Sequence, residues 1–178
     1  QSISALANAI PPSQTSQATS IHITRDALKN IASTEIKWYR ITGPGSNPEV
    51  LNGTIISMAF TRDGDIIYAG TSSGEVFRVS GLNAAWQNDD YSFSTGASFI
   101  KCKRIGTFGG RSITGIAVDP NDPDNVIWAG TGETWTRNSV SVGDGLYKTT
   151  DGGSNWKKVG FENSERISSV QINPKNSN

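Results

Sequence analysis

Between Thr131 and Asp144 the sequence gathers Glu133, Trp135, Arg137, Asn138 and Asp144 into one short stretch. Two carboxyl groups held roughly 5–9.5 Å apart can cleave a glycosidic bond, and Glu133 and Asp144 are the pair this stretch offers. An indole such as Trp135 stacks on a sugar or on a partner's aromatic ring, and a guanidinium such as Arg137 forks onto a carboxylate. The same residues therefore serve either binding or hydrolysis. Arg111 and Arg166 fall in connections expected to flank this stretch and extend the candidate binding set.

Other chemistries are narrower. Cys102 is the single cysteine and His22 the single histidine. A disulfide within the chain, a cysteine metal site and a His-based triad elsewhere in the chain are thereby excluded. Cys102 reads as a small apolar side chain and His22 as a polar surface residue. The run from Asp119 to Asn125, Asp-Pro-Asn-Asp-Pro-Asp-Asn, has hard oxygens that suit calcium. Its spacing is not that of an EF-hand, and Pro-Asn-Asp-Pro is ordinary turn chemistry. The expectation is a turn and no metal or cofactor, with calcium as the lesser alternative. Asn52-Gly53-Thr54 fits a glycosylation sequon, relevant only in a host with that machinery.

Sixteen basic and sixteen acidic side chains balance in 178 residues. Lys101, Lys103 and Arg104 form the one basic knot, read as a solvated strand face, so no nucleic-acid partner is expected. No apolar run reaches the length of a membrane span. Nineteen glycines, five tryptophans and only 18% charged residues suit an all-β protein of short strands and tight turns.

The elements that would position the candidate residues repeat along the chain. Ile55-x-x-Met58-x-Phe60 recurs as Ile113-x-x-Ile116-x-Val118 and as Ile167-x-x-Val170-x-Ile172, at steps of 58 and 54 residues. A second strand follows twice, Ile66 to Thr71 and Val126 to Thr131. A third follows a glycine twice, after Gly74 and after Gly145. A fourth occurs at 38–41, 102–105 and 156–159. In the first strand of a unit, Met58 and Phe60 oppose Ser57 and Ala59, and Ile116 and Val118 oppose Gly115 and Ala117. Large residues on one face and small ones on the other allow neighbouring sheets to approach closely.

Four short antiparallel strands per unit predict a β-propeller with about two blades present here. The expected division is an N-terminal arm over 1–35, with a short helix over 21–31 capped by Thr24 and with Asp26 in its first turn. The arm is followed by the N-terminal part of the propeller over 36–178. Within that part we expect an outer closing strand at 36–41, blades at 54–106 and 112–161, and the first strand of a further blade at 167–173. Residues 81–97 form a longer excursion in place of a tight turn. Two blades cannot close a ring, so the expected partner is first of all the remainder of the propeller chain. The start at Gln1 is taken as the mature form of an exported protein after removal of its signal peptide.

Thr149-Thr150-Asp151-Gly152-Gly153-Ser154-Asn155-Trp156 matches the Asp-box pattern Ser/Thr-x-Asp-x-Gly-x-Thr/Asn-Trp. Thr149, Asp151, Gly153 and Trp156 are read as structural: a short carboxylate accepts backbone N–H groups across the turn, glycine permits positive φ, and the indole packs beneath. Together with the runs at 116–123, 129–133 and 137–148, this segment resembles the bacterial sortilin-like, BNR-type Asp-box repeat proteins. That resemblance covers the last third of the chain in detail and, through the repeat pattern, extends back to Ile36. It implies a secreted or cell-surface propeller, often within a multidomain protein and sometimes labelled a glycosyl hydrolase by analogy.

The preferred expectation is an extracellular binding or interaction module for a protein or glycan, with secretion or surface machinery as a further potential partner. The alternative is a glycoside hydrolase using Glu133 and Asp144. The chain lacks the sialidase Arg-Ile-Pro signature, and Thr131-Gly132-Glu133 stands where xyloglucanase-type members carry Thr-Asp-x-Gly-Gly.

Overall fold

The computed structural model describes residues 20–24, 38–42, 51–90, 99–134 and 140–176, and the backbone of 4–7. Among these residues the fold is built on three antiparallel sheets with one short helix. The first sheet has the order β1 (Ser4–Ala7), β2 (Ile21–Thr24), β3 (Tyr39–Arg40).

Two four-stranded meanders follow. One runs β4 (Ile55–Phe60), β5 (Ile67–Thr71), β6 (Glu75–Ser80), β7 (Lys101–Thr107). The other runs β8 (Ile113–Val118), β9 (Ile127–Thr131), β10 (Leu146–Thr149), β11 (Lys157–Gly160). Helix α1 (Leu82–Asn88) links β6 to β7.

The two meanders share one register. Ile55 pairs with Thr71 and, after a bulge, Ser57 pairs with Gly70 and Met58 with Ala69. In the second meander Ile113 pairs with Thr131, and after the same bulge Gly115 pairs with Gly130 and Ile116 with Ala129. A bulge adds local twist and is fixed by sequence, so its recurrence marks a true structural repeat. The outer strands follow suit, with Phe77 opposite Arg104 and Tyr147 opposite Lys158.

The first meander lies between the N-terminal sheet and the second meander. Alternating residues of β5 and β6 feed two cores. Ile67, Ala69, Phe77 and Val79 join Ile21, Ile23 and Ile41 on one side. Tyr68 and Val76 join Ile105, Ile113, Ile116 and Ile127 on the other. Phe77 and Tyr68 are fully buried, and burial of such a side chain stabilises by about 2–3 kcal/mol.

The small faces of the repeat let the sheets touch. A Cβ added to Gly70 would lie 2.6 Å from Ile113 Cγ2. The Ser57 hydroxyl donates to the Ile113 carbonyl at 2.5 Å, and the buried Tyr68 hydroxyl donates to the Pro123 carbonyl at 2.7 Å.

Two expectations are corrected, at 21–24 and at 167–173. Residues 21–24 are strand, not the start of a helix, because the β-branched Ile21 and Ile23 alternate toward the core while His22 is turned away from it; the rest of that expected helix lies outside the described residues. The strand also contributes to a core, Ile21 and Ile23 being buried with Ile41 and Leu51. Within the 36–41 segment expected as an outer closing strand, Tyr39–Arg40 forms β3 and pairs with β2, Ile23 opposite Tyr39, at the edge of the first sheet. The segment 167–173 makes no strand among the described residues, its one ladder contact being the bridge Asn173–Asn176. It nevertheless packs in repeat position, Ile167 against Gly130 and Val170 against Gly115.

Helix α1 occupies part of the excursion expected over 81–97. Gly81 precedes it at φ 85° and offers no side-chain cap. Asp65 supplies one from the β4–β5 turn, accepting from Asn83 N at 2.9 Å and Gly81 N at 3.3 Å. The carboxylate satisfies amides that a helix start leaves unpaired. Asp65→Ala is expected to cost about 1 kcal/mol, read as a lower urea midpoint with unchanged slope.

Candidate functional site

The connections segregate to two ends of the meanders. At one end the β9–β10 loop, the β7–β8 link and residues 161–166 are tied together: Gly132 N donates to Ser112 O at 2.9 Å, and Gly143 N to Glu165 O at 2.8 Å. Most of the candidate binding residues belong to this end. Trp135, Arg137 and Asn138 lie outside the described residues, within the segment bounded by Thr134 and Val140.

Glu133 is buried. One of its carboxylate oxygens accepts Ser141 N at 3.0 Å, while its own N–H donates to Ser141 O at 2.7 Å. Both contacts clamp the two limbs of the loop. Thr131, also buried, forms the hub beneath: its hydroxyl accepts Asp144 N at 2.9 Å and Gly145 N at 3.1 Å and donates to Gly145 O at 2.9 Å.

Asp144 receives the Tyr147 hydroxyl at 2.8 Å and lies 3.6 Å from both Arg111 Nε and Lys158 Nζ. Burial pushes its carboxyl upward, but the Tyr147 hydrogen bond and the charges of Arg111 and Lys158 outweigh it and hold the group below the ordinary carboxylate range. Asp144 is thus kept ionised. Arg111 and Asp144, expected together, are brought together; Arg166 is exposed, and its carbonyl accepts the Ser164 hydroxyl. Tyr147 and Lys158 were not singled out from sequence. The spacing of Asp144 and Tyr147 along one strand entry was a usable signal, whereas Lys158 arrives from the next strand.

The opposite end carries the Thr149–Trp156 turn. Asp151 Oδ1 accepts Asn155 N and the Thr149 hydroxyl, both at 2.8 Å, and Oδ2 accepts Asn155 Nδ2 at 2.7 Å. Gly153, at φ 90°, closes the turn by donating to Thr149 Oγ1 at 3.0 Å. The Trp156 indole then crosses to the other meander and donates to Ile105 O at 2.7 Å. The Asn155 amide, its side chain and the Thr149 hydroxyl draw the Asp151 carboxyl down to about 2.

A carboxyl held below its unfolded value stabilises the fold above that value, and the contribution is lost as pH falls through the folded one. The Asp151 contribution is therefore present above pH about 4 and fades toward about 2. Urea midpoints measured across that window are expected to fall less steeply in Asp151→Asn than in the parent.

The 119–125 run is an engaged turn. Asp119 accepts Asn121 N at 2.9 Å, Asp122 accepts Asn125 Nδ2 at 2.9 Å, and Asp124 pairs with Arg78 at 2.6 Å. Among the described residues no group of three or more His, Cys, Asp or Glu side chains converges as a metal ion would require, nor is any helix long and apolar enough to cross a membrane.

Comparison with protein-family models, with curated proteins and with solved structures gave no match in any of the three.

Proposed function

We propose that this chain is the N-terminal arc of an Asp-box β-propeller from a secreted or cell-surface protein, and that it acts as a binding module for protein or glycan. The architecture is supported by the shared register and bulge of the two meanders, and by the way each unit seats an isoleucine on the glycine of the one before. A meander of this kind corresponds to one blade. The Thr149–Trp156 turn has the bonding expected of an Asp-box, a brace rather than a reactive centre.

The observation that carries the functional reading is the state of the two loop carboxylates. Glu133 is buried and spent on the loop's own backbone, and Asp144 is held ionised by Tyr147, Arg111 and Lys158. A glycosidase acid needs a raised pKa at the scissile bond, and Asp144 moves the other way. Carboxylates used as braces fit a loop that serves recognition, for which Trp135 and Arg137 are the candidate groups.

The test is the full chain on a glycan array and on a polysaccharide panel. Binding without release of reducing ends is expected, with affinity falling tenfold or more, roughly, in Trp135→Ala and Arg111→Ala. Release of sugar that Glu133→Gln abolishes would replace this reading with the hydrolase.

A further inference from the structure

The two meanders differ most at one connection. The second joins β10 to β11 by the Thr149–Trp156 turn, whereas the first joins β6 to β7 through α1, which carries Trp86. Trp86 is half-buried and packs on the core shared with the N-terminal sheet. Phe60, at the end of β4, is 40% exposed, while Val118 at the same register of the second meander packs on a core. Between the β4–β5 turn and α1 lies a cleft of about 200 Å³, whose walls include Phe60, Arg62, Asp63, Asn83 and Trp86.

The polar groups of this cleft are held in place by one atom each. Asp63 Oδ1 accepts the Thr61 hydroxyl at 2.6 Å and Asp65 N at 3.1 Å, which fixes the direction of Oδ2. The same two bonds hold the Asp63 carboxyl below its ordinary range, so it stays ionised. Asn83 Nδ2 donates to Asp63 O at 3.3 Å, which fixes its Oδ1. Arg62 is exposed and makes no ion pair or hydrogen bond among the described residues. Asp65 already takes the amides at the start of α1, so recognition in the cleft falls to side chains.

We propose that this cleft is a binding subsite for one neutral sugar ring, stacked on Trp86 and Phe60, with hydroxyls donating to Asp63 and Asn83 and accepting from Arg62. The size fits a single ring, because drug-sized ligands occupy pockets of roughly 300–1,000 Å³. The charges select a neutral one. An anion drawn to Arg62 meets the Asp63 carboxylate, and a cation drawn to Asp63 meets Arg62, whereas a hydroxyl both gives and accepts. A pyranose adds the apolar C–H face that an aromatic wall takes. The cleft lies at the end of the meanders opposite the β9–β10 loop, so it is separate from the binding surface proposed above.

The test is ligand-observed NMR on the 178-residue chain with the methyl glycosides of glucose, galactose, mannose, xylose and N-acetylglucosamine. Methyl glucuronide and methylguanidinium serve as the anionic and cationic arms. At least one neutral glycoside is expected to bind in the millimolar range, as a lone ring does, and to shift the Trp86 indole N–H resonance, assigned with Trp86→Phe. Affinity is expected to fall roughly tenfold or more in Arg62→Ala and in Trp86→Ala. Arg62 braces nothing, so its variant keeps the test sound should Trp86→Ala not fold.

Binding by none of the neutral glycosides overturns the proposal, as does tighter binding of either charged arm. Undiminished binding in Arg62→Ala also overturns it, and loss in Trp135→Ala instead would place the sugar at the loop. The glycan-array outcome for Trp135→Ala and Arg111→Ala judges the loop alone, so the two readings fail separately.

Discussion

Trp156→Ala is expected to lower the unfolding free energy by about 3 kcal/mol, although the residue belongs to a turn. The indole is the one side chain of the Thr149–Trp156 segment that leaves its own meander. It donates to Ile105 O at 2.7 Å and meets the Phe108 ring edge-on, 5.1 Å between centroids at 79°. Phe108 in turn meets Tyr147 at 4.9 Å. Truncation opens this aromatic chain and leaves the carbonyl of a buried residue without its donor. Trp156→Phe separates the two parts, keeping the ring and costing about 1 kcal/mol for the lost hydrogen bond. Urea unfolding of the 178-residue chain, with the slope held constant, reads both values.

The second large effect is expected at Gly70. An alanine Cβ there would stand 2.5 Å from Ser57 Oγ and 2.8 Å from Ile113 Cβ. The latter atom is fixed to the backbone of β8 and has no rotamer by which to withdraw. Gly70→Ala must therefore part the two meanders, a loss of about 3 kcal/mol. Gly110→Ala is the reference: its Cβ would meet nothing within 4 Å, so only the positive φ of 77° opposes it. Gly130→Ala, which meets Ile167 instead, displaces the 167–170 segment and leaves the joint between meanders intact. Proteolysis ahead of global unfolding, at 161–170, is the expected signature that distinguishes it from Gly70→Ala.

The all-β class and both meanders were legible because their signal is local and repeated. Ile-x-x-(Met/Ile)-x-(Phe/Val) and Ala-Gly-Thr mark the first two strands of each unit, and the repeats after Gly74 and Gly145 and at 102–105 and 156–159 mark the other two; the shared bulge appears only in the fold. The turn chemistry at 149–156 was equally legible, each partner lying within a few residues of the next. What failed was non-local. The Ile21–Thr24 strand owes its state to β3 and to a core assembled from Ile41, Leu51 and Ile67, so an isolated polar setting misled the helix expectation. Helix α1 is seven residues with a left-handed glycine before it, and its cap is drawn from Asp65, sixteen residues before that glycine.

The candidate site divides along the same line. Sequence brought Glu133, Asp144 and Arg111 to one end, but their use as braces depends on Ser141, Tyr147 and Lys158, which only the folded loop gathers. Segment 167–173 shows the remaining limit. Its side-chain pattern is that of a first strand and it docks as one, yet a strand is defined by a ladder, and pairing with a neighbour cannot be read from one stretch of sequence.

The meander connectivity has a consequence for biogenesis. Each four-stranded sheet is closed within about fifty consecutive residues, 55–107 and then 113–160, and the second leans on the one completed before it. A nascent chain can accordingly mature from its leading end, every newly emerged unit finding a finished template rather than waiting for distant sequence. Such vectorial assembly suits a polypeptide that acquires shape one module at a time.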